Sequence, residues 1–315
     1  MATHAIVLSV LGALALFLLG LEELSSALQS LGSERIRAWL LRMSRRPWLA
    51  LLTGVWTTAL LDSSSAVIVL LIALVDADAL DFENALGIVL GANIGTTVSS
   101  QIIALNIGQA APVLLFVGVL GRLFARSQRT ELRLRVLTGV GLVFYGLEAV
   151  EAAVEPLRAA PDVLAWLQSL TEPMRGLVAG GLVTLVIQSS SATLGLAIQV
   201  CNGGMMPLTA GVSVMLGAEI GTCADTLVAC SGRSRAAVRT GLFHLLFNIV
   251  SVALGAVCIG VLTAGAAALS PGASAGRQLA NAHVLFNTIA ALLALPLVPW
   301  AARGLRRWLP DRRPA

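Results

Sequence analysis

Charge is scarce in this sequence. Asp, Glu, Lys and Arg together make up 12% of the 315 residues, against roughly 25% in a soluble domain. Lysine is absent, so all 21 basic residues are arginine. Nucleic-acid binding needs a clustered basic face with stacking or base-reading side chains; none is visible, and no nucleic-acid partner is expected. The four cysteines, Cys201, Cys223, Cys230 and Cys258, form no CxxC pair and no metal spacing. They read as small apolar residues in helices, and no transition-metal site is expected. No basic region precedes the first apolar run, so Ala5–Leu21 reads as a membrane helix and not as a cleaved leader.

What is present is hydrophobic residue, 57% of the chain, in continuous runs long enough for a bilayer, which takes about 20 residues. The runs do not alternate, which points to helices rather than a barrel. The chain reads as an all-α integral membrane protein in contact with the lipid bilayer.

Two polar islands interrupt the runs. Ser63, Ser64 and Ser65 follow Asp62, and Ser189, Ser190 and Ser191 follow Gln188, at an offset of 126 positions. At the same offset Gly20-Leu21-Glu22 matches Gly146-Leu147-Glu148, and Gly54 and Thr58 match Gly180 and Thr184. Gly91-Ala92 and Ile94-Gly95-Thr96, either side of Asn93 and followed by Thr97, likewise match Gly217-Ala218 and Ile220-Gly221-Thr222, either side of Glu219 and followed by Cys223. Duplicated halves with interrupted apolar segments point to a transporter with its site at the repeat interface.

The spacing predicts repeat one over 1–126, with a hairpin at 48–75 and a broken helix at 85–105. It predicts repeat two over 127–252, with a hairpin at 175–201 and a broken helix at 208–230. A further transmembrane region, 253–302, and a basic tail, 303–315, follow. Ser33–Arg46 and Asp162–Pro173 read as interfacial helices. Further spans are expected at Ala5–Leu24, Pro112–Phe124, Val136–Val150, Leu242–Ala264 and Leu279–Ala302.

Each serine segment is either one kinked span or a re-entrant hairpin with serines at its tip. A hairpin arm of about 13 residues gives about 20 Å of helix, short of a core of about 30 Å. Arginine decides between the two. With both segments re-entrant and the N-terminus outside, 18 of the 21 arginines face the cytoplasm, leaving Arg158, Arg175 and Arg277. With single spans, Arg122–Arg135 would lie opposite Arg35–Arg46, against the positive-inside rule. The re-entrant reading also inverts one repeat relative to the other. It places the chain in a bacterial-type cytoplasmic membrane with a cytoplasmic C-terminus. The acidic loop Asp76–Glu83 sits awkwardly on that same side, but acidic residues weigh little in topology.

A tip exposes the amides of a helix N-terminus, which bind anions, with hydroxyls that donate and accept. Free carbonyls and hydroxyls can hold Na⁺. Two tips from inverted halves would converge near the midplane on a small oxyanion and a cation. The plain alternative is that small serines let helices pack closely. The glycine segments would break their helices and present Asn93, Thr96, Thr97, Glu219 and Thr222; the alternative for each Gly-x-x-x-Gly is helix packing. Asp62 and Glu219 are carboxylates at membrane depth, where a charge is functional by default. His244 with Asn248, and His283 with Asn287, share a helix face at i, i+4 and read as helix–helix hydrogen bonds.

At these residues the sequence resembles the sodium–phosphate cotransporter family, the type II group and its bacterial relatives. That family carries Gln-Ser-Ser-Ser in each inverted repeat, followed by Gly-Ser-Asn-Ile-Gly-Thr. The resemblance covers nearly the whole chain and includes the His-x-x-Phe-Asn elements. It implies Na⁺-coupled transport of inorganic phosphate, with no cofactor beyond Na⁺ as coupling ion. Substrate contacts fall on Ser63, Ser64, Ser65, Asn93, Thr96, Ser189, Ser190, Ser191 and Thr222. Ion contacts fall on Asp62, Asn93, Thr97, Gln188, Ser189, Glu219 and Thr222, the second repeat contributing to Na⁺ binding. His244, Asn248, His283 and Asn287 are secondary candidates, and a homodimer is compatible with the pattern. Some bacterial relatives carry a C-terminal regulatory domain, which this chain is expected to lack.

Asp62 replaces Gln and Glu219 replaces Asn in the motifs. Ionised, they repel phosphate unless a cation lies between; protonated, they carry H⁺, which admits an H⁺-coupled or other-oxyanion transporter. A passive anion channel is a further alternative. An intramembrane enzyme using a serine and His244 or His283 is disfavoured, because there is no His-Glu-x-x-His and duplication predicts two equivalent sites.

Overall fold

A computed structural model describes residues 2–43, 46–105 and 110–311. Among them there are only helices: α1 Ala2–Met43, α2 Pro47–Leu61, α3 Ser64–Asp76, α4 Phe82–Ile103, α5 Ala111–Leu123, α6 Gln128–Val154, α7 Pro161–Ser169 and α8 Pro173–Ile187. Then follow α9 Ser190–Asn202, α10 Leu208–Gly221, α11 Cys223–Ala229, α12 Arg235–Val257, α13 Ile259–Leu269, α14 Ala275–Ala294 and α15 Val298–Trp308. Among the described residues, six helical stretches are long and apolar enough to cross a membrane.

Glycine contacts fix the helix directions. Gly20 lies so close to α6 that a Cβ would stand 2.5 Å from the Val143 nitrogen, and one on Gly146 would stand 2.5 Å from the Phe17 nitrogen. Gly139 meets Leu24 in the same way. Contacts that fall along α1 as they rise along α6 make the two helices antiparallel. Because α1 and α6 are the same element of the two copies, the repeats are inverted.

The hairpins follow by the same reasoning. Gly87 meets Ala50, Gly91 meets Leu51 and Gly95 meets Val55, so α2 and α4 run parallel. The connecting helix α3 must then run back between them. Gly176 against Ser213, Gly217 against Leu177 and Gly221 against Thr184 give the same arrangement for α8, α9 and α10. The seams are tight because the glycines lack a side chain. A Cβ at Gly91 would lie 1.9 Å from the Leu51 carbonyl oxygen, and one at Gly217 2.1 Å from that of Leu177. In lipid, such close van der Waals packing of small residues holds helices together.

This corrects the expectation that the glycines break their helices. α4 is continuous from Phe82 to Ile103, and its counterpart is interrupted only at Thr222, whose backbone stays helical. Glycine costs a helix about 1 kcal/mol relative to alanine, which the close seams offset. Other boundaries also move. Ser33–Met43 continues α1 without a break; the side chains of Arg35, Arg37 and Arg42, and residues Ser44 and Arg45, lie outside the described residues. α7, the second interfacial candidate, buries no residue and turns 102° into α8. α5 has 13 residues, about 20 Å and too short to cross straight. The helix expected over Leu242–Ala264 is divided at Cys258, and the last span is α14 followed by a 3₁₀ turn and α15.

The arginine groups share one face of the bundle. The end of α1, the start of α2, the start of α4 and the start of α6 meet there by the directions above. Arg122 and Arg135 both reach Glu23 of α1. Arg233 pairs with Asp76, and Arg306 approaches Asp81 and Glu83. The awkward acidic loop therefore lies among arginines from the α11–α12 loop and α15. Arg158 and Arg175 lie on the opposite face, at the far end of α6 and the start of α8; Arg277 lies there too, beside the carbonyl of Gln101 near the end of α4. The ends of α1 and α15 that begin and finish the chain lie on opposite faces.

Buried apolar residues gather in two clusters, one per hairpin. Ile68, Leu71 and Ile72 of α3 pack with Leu86, Leu90 and Phe247. Leu194 and Ile198 of α9 pack with Met215, Leu216 and Phe286. Phe247 and Phe286 belong to the two His-x-x-Phe-Asn elements, so α12 and α14 flank opposite hairpins as a third matched pair, at an offset of 39 and not 126.

Candidate functional site

The two tips are built alike. Pro47 and Pro173 open the first arms, at a position where a missing N–H costs nothing. The arms end at Asp62 and Gln188, both left-handed, with φ of 53° and 58°. Ser63 and Ser189 then cap the return helices, their hydroxyls accepting from Ala66 N and Ala192 N, each at 3.1 Å. The cap leaves the amides of Ser64 and Ser65, and of Ser190 and Ser191, without helical acceptors. Those amides carry the positive end of the helix dipole. Each tip thus offers anion-binding donors beside hydroxyls.

The partners of the tips differ. Ser99 of α4 donates to Asp62 Oδ1. The Ser65 hydroxyl lies against the carboxylate of Asp225, which comes from α11 in the other repeat. In the second hairpin Thr184 donates to Thr193 at 2.8 Å, while its counterpart Thr58 has no partner.

The residues of the glycine segments are turned back onto their own helices. Asn93 donates to Val89 O at 2.9 Å, Thr96 to Ala92 O at 3.0 Å, Thr97 to Ile94 O at 2.7 Å and Thr222 to Ala218 O at 3.1 Å. Glu219 is different. Its Oε1 is 2.8 Å from His283 Nε2 and accepts from Asn287 Nδ2 at 2.9 Å. The other ring nitrogen of His283 is 2.9 Å from the Ser100 hydroxyl. One imidazole therefore ties α4 of the first repeat to α10 of the second, and both it and the carboxylate are buried. His244 makes the matching contact to Thr226 at 3.1 Å, and Thr226 stands 126 positions after Ser100. Asn248 and Asn287 each keep a buried side-chain oxygen without a partner.

Ser99, Ser100, Asp225 and Thr226 escape motif reading because they lie just beyond the glycine segments. The constant offset pairs Ser99 with Asp225 and Ser100 with Thr226, which is the signal that could have found them. A Gly-x-Ser-x-Gly match at Gly272–Gly276 is also present. Its Ser274 caps α14 by accepting from Arg277 N, and no strand precedes it as a nucleophile elbow requires. Neither His244 nor His283 is hydrogen-bonded to a serine of the triplets. Among the described residues no group of three metal-ligating side chains converges.

Comparison with known proteins agrees with this duplicated construction. The Na⁺/Pi-cotransporter family model matches twice, over residues 16–152 and 157–294. An uncharacterized protein, YqeW, of Bacillus subtilis is 32% identical over 299 residues, covering 94% of this chain and 96% of that one. The putative inorganic phosphate export protein YjbB of Escherichia coli is 29% identical over 307 residues; these span 96% of this chain but 56% of YjbB. Human sodium-dependent phosphate transport protein 2B is 36% identical over 97 residues, 30% of this chain and 14% of that protein. No solved structure matches. Two family matches on two inverted halves, with a relative aligned nearly end to end, show that the chain is an integral membrane protein belonging to the Na⁺/Pi-cotransporter family.

Proposed function

We propose that this chain moves inorganic phosphate across the membrane by secondary active transport coupled to Na⁺. The oxyanion is held by the amides and hydroxyls of the two serine tips. The observation that carries this reading is the matched pair of tips. Two serine-capped helix N-termini, each with two amides lacking helical acceptors, enter from opposite faces. The names of the relatives support the substrate, since both a phosphate export protein and a sodium-dependent phosphate transporter are among them. Export and uptake are the two directions of one device, set by the gradients imposed.

The inverted halves supply the alternating geometry such a device needs. His283, held by Ser100 on one side and Glu219 on the other, lies where the repeats would slide past each other. Protein reconstituted in liposomes tests the reading. Labelled phosphate should accumulate under an inward Na⁺ gradient and leave preloaded vesicles under an outward one. No phosphate flux under either gradient would sink the proposal.

A further inference from the structure

The two tips differ in their ionisable side chains. Asp62 occupies the first bend itself, and Asp225 reaches the same hairpin beside Ser65. The second bend holds neutral Gln188. The position equivalent to Asp225 in the first repeat is Ser99, also neutral, and it is bound to Asp62. Sequence duplication gives each repeat one carboxylate in this pair of positions, but the fold gathers both at the first tip. Glu219, on α10, is held by His283 and Asn287 on α14 and by no residue of either tip.

A second observation points the same way. The hydroxyls of Thr57 and Thr58, on the arm leading to the first tip, have no partner although both residues are 0% exposed. An unpartnered buried hydroxyl is costly. In the second hairpin the equivalent of Thr58 is satisfied, since Thr184 donates to Thr193; the first hairpin has Val67 where Thr193 would be. Thr58 lies on the seam with α4, against Gly95, one turn before the contact between Asp62 and Ser99. Hard monovalent cations take carboxylate, hydroxyl and carbonyl oxygens, and this seam gathers the first two beside the last carbonyls of α2.

We infer that the tips divide the work. The first binds the coupling cation through Asp62, with Thr58 and Ser99 on the seam and Asp225 beside it. The second, with neutral Gln188 in its bend, binds the oxyanion through the amides and hydroxyls of Ser189–Ser191. This rests on the phosphate-transport reading above but narrows its two-tip oxyanion site to the second tip. It confines the cation to the first repeat, where the family resemblance spreads the ion contacts over both. Coulomb repulsion between a carboxylate and a phosphate at contact range supplies the physical reason.

The test is the thermal stability of the full chain in detergent. Na⁺ is titrated against choline at constant ionic strength, and phosphate is titrated at saturating Na⁺. Asp62→Asn and Thr58→Val should each raise the Na⁺ midpoint by about tenfold or more, the loss of one contact to a charged ligand. Their phosphate midpoint should move by less than about threefold. Gln188→Glu should do the reverse. Thr58→Val removes an unpaired hydroxyl, so the unliganded protein should be as stable as before or more so; a lost Na⁺ response then does not report misfolding. Unchanged Na⁺ midpoints in both Asp62→Asn and Thr58→Val overturn the assignment, as does a Na⁺ response lost only in Gln188→Glu. Wild-type protein that responds to Na⁺ but not to phosphate refutes the transport reading while the cation tip stands. A response to phosphate but not to Na⁺ refutes the cation tip alone, and no response to either ligand overturns both.

Discussion

The two hairpins have arms of the same length, 15 and 13 residues, at boundaries 126 positions apart. Their backbones bend at the same place, their serines cap the same way, and their first arms pack on glycine seams of the same depth. Yet the side chains beside them differ. In the first, a carboxylate sits in the bend and a threonine hydroxyl goes unpaired. In the second, an amide sits in the bend and the hydroxyl is satisfied within the hairpin. The comparison separates what duplication preserves, backbone geometry set by glycine and caps, from what it leaves free to diverge.

The largest effects should fall where the repeats are alike. Gly91→Ala and Gly217→Ala each push a Cβ into a facing carbonyl oxygen, and each should destabilise by an amount at or above the upper end of about 1–3 kcal/mol. Thermal unfolding in detergent would read this, and a large inequality between the two would show that the seams are not equivalent. His283→Ala comes next. It strips the buried Glu219 carboxyl of one hydrogen-bond partner, at about 1–3 kcal/mol. His244→Ala should cost less, because Thr226 still bonds Cys223 O; equal losses would remove the asymmetry drawn between α12 and α14.

Smaller still is Thr184→Val, expected to cost about 1 kcal/mol through its bond to Thr193. Thr58→Val should be neutral or stabilising without ligand, so a matching loss at both sites would break the contrast between hairpins. The smallest effect is at the arginine-rich face. The backbone N–H of Ser234, with its side chain and Arg233 adding to it, holds the Asp76 carboxyl below its usual range. A depressed carboxylate stabilises above its unfolded pKa of about 3.9 and loses that contribution as pH falls further. Asp76→Asn should therefore lower stability slightly at neutral pH, and the difference from the parent should shrink as pH falls below about 3.9.

Much of the site was legible because it is local. The serine triplet and the residue before it are read along the chain, and they recur at one offset. Inversion of the repeats was also legible, through arginine distribution. The glycine segments misled, since Gly91 and Gly95 look like breaks to a reader of propensity. In the fold they are contact points, and the penalty of glycine in a helix is outweighed by backbone packing that only a second helix provides.

The sequence by itself determined that the chain enters a membrane, that it is duplicated, and where its two polar tips lie. Composition, offset and capping act over a few residues or over the chain as a whole, so they need no knowledge of neighbours. Tertiary structure alone decided that Glu219 meets His283 from 64 residues away. It also decided that Ser100 meets the same ring from 183 residues away, and that Asp225 of one repeat lies at the tip of the other. Those pairings follow from which helix faces pack together, a property of the assembled bundle that no single helix carries.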